Sequence, residues 1–257
     1  MRLNREEALF AAEQRGHVAV IRLKEDLVRN FTDLNLKEGL FRYLHDAEKD
    51  ETVRVFLIIG NPEKITAPEI ISLYGEWMAS IEGINQVTRV YNSINQVIMM
   101  LRSMTKMVVY ADGGDIISLF LSISMACDYR IVDEETCFRF PTHALGMIPK
   151  GGGLFFLSSL IGKSRTMEVM LSGKDISAQE ALAMGIVDGV AAAGQLENQA
   201  LATADGIGRK PLSLTTGLKK LLNFSSSDLA AFLEAENTLL LDCLRREEFQ
   251  ECLGKCL

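Results

Sequence analysis

The sequence predicts an α/β fold, and three observations carry that prediction. First, two strand-like runs, Val18-Ala-Val-Ile-Arg-Leu23 and Val53-Arg-Val-Phe-Leu-Ile-Ile59, flank a segment in which Leu36, Leu40, Phe41, Leu44 and Ala47 recur at helical spacing. This is a β–α–β unit, which joins parallel strands through a right-handed crossover. Second, Val87, Val90, Ile94, Val97, Leu101 and Met104 mark an amphipathic helix of about five turns, which delivers the chain to a third strand over 107–111. Third, Gly113-Gly114 breaks that strand ahead of a stretch, 116–126, that is apolar almost all round except for Ser118, Ser122 and Ser124, and two further short strands, 129–132 and 136–140. A helix apolar on every face is buried, and repeated strand–helix alternation is the mark of an α/β domain.

The remaining elements follow in order. Residues 74–84 read as a loose segment holding Trp77. Asp115 is placed to cap the buried helix through its side-chain oxygen, and Ser118 and Ser122, four residues apart, share one face of it. Gly151-Gly152-Gly153 precedes a helical run, 154–160, and lacks the Lys-Ser/Thr of a phosphate loop, so it reads as room for tight helix packing. Ser177-Ala-Gln-Glu180 fits a reciprocal capping box, with Gly185 closing that helix. After Pro211 the chain reads as helical, with a break at 225–227. The expected organisation is a core over 1–195 with a helical region over 196–257.

Composition narrows the function classes. A chain of 257 residues, 48% hydrophobic, can bury one sizeable core. A net charge of −7 argues against a nucleic-acid surface, which needs clustered cations, but leaves room for a small anionic ligand at a few local cations or helix ends. The five cysteines form no CxxC pair and no metal pattern with histidine. An odd count behind a charged, interrupted N-terminus predicts reduced thiols in a cytoplasmic protein without a signal peptide. No apolar run is long enough to span a bilayer.

The order of motifs narrows the fold further. Val53 to Gly60, Lys106-Met-Val-Val-Tyr-Ala111, Cys127-Asp-Tyr-Arg-Ile-Val132, Phe138-Arg-Phe-Pro141, Leu145-Gly-Met-Ile-Pro149 with Gly152-Gly153, and Leu171-Ser-Gly-Lys-Asp-Ile-Ser-Ala-Gln-Glu-Ala181 with Gly185-Ile-Val187 occur at near-constant spacing. In that order they resemble the enoyl-CoA hydratase/isomerase (crotonase) superfamily, from about Val18 to Val190 and most densely after Lys106. The resemblance implies a spiral of ββα units with a C-terminal helical region that serves trimer assembly and covers an acyl pocket. It implies a homotrimer or dimer of trimers, and an acyl-CoA thioester as partner. It further implies enolate stabilisation by two backbone N–H groups, with no cofactor beyond the coenzyme A of the substrate and no metal.

Carried over residue by residue, the resemblance puts one oxyanion donor at Leu119, where Ser118, Leu119 and Phe120 replace the usual glycines. The other falls at Thr66, in Ile65-Thr-Ala-Pro-Glu69, with Pro68 where a glycine is expected. Pro68 disfavours helical geometry at Ala67. The two hydratase glutamates map to Ser122 and Thr142. Hydration needs an acid and a base, which two carboxylates share, and a lone hydroxyl is no base near neutral pH without a neighbour to take its proton. Asp115 is a candidate displaced carboxylate or a cap. His143 titrates in the useful range and is a candidate base or a surface residue; in extended chain it would face away from Thr142. Ser118 and Ser122 are alternatively satisfied by backbone carbonyls one turn back. Lys24 and Lys64 are candidate solvated cations for coenzyme A phosphates. Two readings stay open: an acyl-CoA protein using other chemistry (decarboxylase, hydrolase or isomerase), or a catalytically inactive binding or assembly subunit.

Overall fold

The computed structural model describes residues 3–24, 27–30, 34–224 and 228–257. The expected break at 225–227 and the side chain of Leu36 lie outside the described residues. Strands β1 (Arg5–Glu6), β2 (Phe10–Arg15) and β3 (Val18–Leu23) form an antiparallel ribbon that turns at Gly16, whose φ of 59° suits a residue without Cβ. After α1 (Leu27–Asn30) and α2 (Leu34–Lys49), β4 (Val55–Ile59) pairs with β3 in parallel, as the β–α–β pattern predicts.

Helices α3 (Ala67–Ala79) and α4 (Gly83–Ser103) precede β5 (Met107–Asp112). From there the chain alternates between two sheets. Strand β6 (Asp115–Ile117), helix α5 (Ser118–Met125), β7 (Tyr129–Asp133) and β8 (Cys137–Arg139) follow one another. Then come α6 (Pro141–Ala144), α7 (Gly153–Ser172), β9 (Ile176–Ser177), α8 (Ala178–Met184) and β10 (Gly189–Ala191). The large sheet runs β1-β2-β3-β4-β5-β7-β10 and the small one β6-β8-β9. Two successive turns, β5-β6-α5 and β7-β8-α7, thus lay a strand in the large sheet, a strand in the small sheet and a helix, the ββα unit of a spiral. Helices α9 (Leu196–Gly208), α10 (Leu212–Leu222), α11 (Leu229–Leu244) and α12 (Glu247–Cys256) complete the described chain.

The sheet is covered on both faces. On one, Ala200 and Ala204 of α9 pack against Val20, Val55, Leu57 and Val109; small helix residues let the helix lie close on a β-branched surface. On the other, Phe56, Val108 and Tyr110 join the main core with α2, α4 and α5. The capping box forms as the sequence predicts, with Ser177 N–H donating to Glu180 at 2.9 Å, and Gly185 closes α8 at φ 79°.

Three local expectations are corrected. Residues 74–84 are not loose: Ile70, Tyr74 and Trp77 are the buried stripe of α3. Ala67 is helical despite preceding Pro68, because in a first turn the missing proline N–H would have had no partner. The buried helix also begins at Ser118, two residues late, because Asp115, Ile116 and Ile117 pair with Cys137, Phe138 and Arg139 as β6. Among the described residues no helix is long and apolar enough to cross a membrane.

Candidate functional site

Helices α4, α5 and α11 meet around a turn of three glycines that leads into α7. Gly151 and Gly152 both adopt φ near +73°, and the helix α7 begins at Gly153. Consecutive left-handed residues gather N–H groups into an anion-binding concavity. A carboxylate of the protein fills it: Gly152 N–H reaches Glu236 of α11 at 3.1 and 3.2 Å. Lys150 Nζ lies 3.4 Å from Glu236 Oε2 and donates to Asn237 Oδ1 at 3.0 Å, and both charged side chains are almost wholly buried. Burial pushes Glu236 above the ordinary carboxylate range, partly offset by Lys150, and pulls the Lys150 ammonium down. The sequence gives no hint of this pair, because its members are joined only by tertiary packing.

Ser122 sits against the far side of the same turn. It is fully buried, and its Oγ–H donates to Ser118 O at 2.9 Å, the back-bonded arrangement expected as one alternative. A Cβ built on Gly151 would lie 3.2 Å from Ser122 Cβ, and one on Gly153 2.9 Å from Ser122 Oγ. Leu119 is buried in the first turn of α5, where N–H groups have no intrahelical acceptor.

Thr66 differs from expectation. Its N–H and its Oγ–H both donate to Glu69 Oε2 at 2.8 Å, so the expected second oxyanion donor is spent on capping α3. Asp115 is not a helix cap, because β6 intervenes; it is exposed and pairs with Arg139 at 3.1 Å, in a surface cluster with Asp175. Lys64 is not a solvated cation: its ammonium is buried against Asp112 at 2.8 Å and the Gly113 carbonyl at 2.7 Å. Tyr110 Oη donates to the same carboxylate, whose pKa burial raises against the pull of Lys64. Lys24 is exposed and bonds Glu6 at 2.7 Å and the Glu7 carbonyl.

Thr142 and His143 come together, contrary to the expectation of opposite faces. They lie in the single-turn helix α6, opened by Pro141, rather than in extended chain. Thr142 O accepts from Leu145 and Met147 N–H at 3.2 and 2.9 Å, which fixes the turn. Both residues line a cavity of about 660 Å³ with Phe140, Met147, Leu154, Met170, Phe232 and Lys163. Thr66, Leu119 and Ser122 are not in that lining. The lining is apolar apart from a few hydroxyls, His143 and Lys163, the usual make-up of a small-molecule site. Among the described residues no group of three or more His, Cys, Asp or Glu is arranged to hold a metal ion.

The sequence model of the enoyl-CoA hydratase/isomerase family matches residues 13–255. The chain belongs to the enoyl-CoA hydratase/isomerase family. It is 26% identical over 244 residues to a short-chain-enoyl-CoA hydratase of Clostridium acetobutylicum, covering 94% of this chain and 91% of that one. It is also 26% identical over 175 residues to a trans-2-decenoyl-[acyl-carrier-protein] isomerase of Streptococcus mutans; that match covers 66% of this chain and 64% of the relative. The solved structure of an enoyl-CoA hydratase from Bacillus halodurans superposes with a TM-score of 0.80 at 19% identity, over 96% of this chain and all of that one. That likeness establishes the shared crotonase fold. Of the two residues that the resemblance sets at carboxylate positions, Ser122 is sealed beneath a glycine turn and Thr142 lines a cavity.

Proposed function

We propose that this crotonase-family chain binds an acyl-CoA thioester in the cavity beside Thr142 and His143 and acts on it by chemistry other than two-carboxylate hydration. The single observation that supports this reading is the pairing of Thr142 with an apolar cavity large enough for an acyl group. The ionisable groups of that lining are His143 and Lys163. Proton transfer would therefore fall to His143, whose imidazole nitrogens can both take up and give a proton. A homotrimer or dimer of trimers in the cytoplasm belongs to the same proposal. The exposed Leu214, Leu218 and Leu221 on one side of α10 are suited to an interface between copies.

One observation favours a second reading, a catalytically inactive binding or assembly subunit. Thr66 N–H is committed to Glu69, which removes one of the two donors that a thioester enolate needs. Incubating the protein with enoyl-, malonyl- and 3-hydroxyacyl-CoA esters, followed by mass spectrometry, separates the readings. Turnover of any ester that is lost in His143→Ala supports the first. Binding without product supports the second, and the absence of both removes the acyl-CoA proposal.

A further inference from the structure

A second cavity lies on the other side of α7 from the one beside Thr142. Leu154 and Ser158 line the first, whereas Phe155 and Ser159 line the second, so one helix separates two cavities that share no lining residue. The second measures about 370 Å³, a volume in the range of small-molecule sites. It lies between α7 and α10, at the N-terminal ends of β5 and β7, where Met107 and Arg130 line it. Its charge sets it apart. Arg102, Arg130 and Lys219 line it with one carboxylate, Asp128. Lys219 pairs with Asp128 at 2.7 Å and Arg130 with Asp188 at 2.7 Å, and both cations are almost wholly buried. Backbone carbonyls fix them further: Lys219 donates to Lys106 O at 2.9 Å, and Arg130 to Ile186 O at 2.8 Å. Arg102 brings a third positive charge from the last turn of α4, its guanidinium 5.6 Å from the centroid of the Phe156 ring.

Among these described residues three cations meet two carboxylates, which leaves one positive charge in excess at a place where burial makes charge costly. Burial pulls the Arg102 guanidinium below its ordinary range, an effect that Asp128 offsets only in part. A monoanion restores the balance, whereas a dianion such as phosphate overshoots it. A carboxylate also matches the planar fork of an arginine through two parallel N–H groups. Around the cations stand Met125, Phe155, Phe156, Leu160 and Leu222, which can take an apolar body out of water but offer it no side-chain donors. We infer that this second cavity binds a small monocarboxylate with an apolar body, its carboxylate held at Arg102 and its body laid along Phe155 and Leu160. The inference does not depend on the acyl-CoA reading, which concerns the other side of α7.

The test is calorimetric titration of the full chain with 4-phenylbutyrate, beside 4-phenylbutanol and inorganic phosphate. The carboxylate should bind about tenfold more tightly than either control, because the alcohol lacks the charge and phosphate lacks the body. Arg102→Met, which keeps an apolar stem over Phe156, should weaken it by about tenfold or more. Because Arg102 is half-buried, Leu222→Glu on the exposed rim serves as a second variant that need not disturb folding. The added negative charge there should weaken binding about threefold. Lys163→Ala and His143→Ala, both in the first cavity, should leave the affinity unchanged. Binding that falls with Lys163 or His143 and survives both Arg102→Met and Leu222→Glu would overturn the inference by setting the anion in the first cavity. Equal binding of the alcohol or of phosphate would overturn it as well, and so would no binding of the carboxylate at millimolar concentration.

Discussion

Ser122 and Thr142 answer the same question in opposite ways. Each stands where the family resemblance sets a carboxylate, and each is a small hydroxyl residue on a short helix. Around Ser122 the protein has closed: the residue is fully buried, its hydroxyl bonds its own helix, and a side chain on Gly151 or Gly153 would run into it. Around Thr142 it has stayed open, with about 660 Å³ of apolar space beside it. The difference teaches that a small hydroxyl residue has free space beside it only where the surrounding chain does not close on it.

The largest expected effect breaks the closed side. Ser122→Glu puts a carboxylate at a fully buried position against the glycine turn, and it should cost about 4 kcal/mol or more in denaturant unfolding. A folded, wild-type-like Ser122→Glu protein would show that the closure is soft. Next in size, Lys150→Met strips the buried cation from Glu236 and should cost about 3 kcal/mol by the same measurement, with much of it recovered in Lys150→Met/Glu236→Leu. Thr142→Glu, by contrast, should cost only about 1 kcal/mol, because its side chain has the cavity to enter. It should also leave crotonyl-CoA hydration undetectable, since the second carboxylate is absent; measurable hydration by this single variant contradicts the proposed chemistry.

The smallest effect is a slope with pH. The folded pKa of Glu236 is raised by burial, so between the ordinary value of 4.5 and that raised value the folded state holds a proton that the unfolded state has released. Stability from this group therefore rises as pH falls through that window and is lost as pH climbs out of it. Melting temperatures measured from pH 7 to 4.5 should show this component in the wild type and not in Glu236→Gln. Identical slopes would mean that the pair is more solvated than its burial implies.

What the sequence disclosed, and what it withheld, divides along the same line. Strands β3 and β4, helix α4 and the Ser177–Glu180 box were legible because their signals are local: alternation, a 3.6-residue stripe, a cap three residues from its partner. Helix α3 carries a readable stripe in Ile70, Tyr74 and Trp77, but Pro68, which in sequence argues against helix at Ala67, is a first-turn residue of it. Asp115 resembled a cap until its pairing with Cys137, a residue of another strand, made it part of a sheet. The partners of Lys64 and Lys150, and the meeting of Thr142 with the wall of α7, depend on residues tens of positions away, and no short window contains them.

One such distant contact bears on the order in which the molecule can be assembled. The N–H of Gly152 finds its acceptor 84 residues later, on α11. A growing chain that has already placed β5, α5 and the glycine turn still holds an unanswered donor and a lone ammonium at Lys150 until the C-terminal helices are made. The last quarter of the protein thus acts as the final keystone of its middle. The turn beneath Ser122 is expected to settle late, when that helix docks, rather than with the strands that precede it.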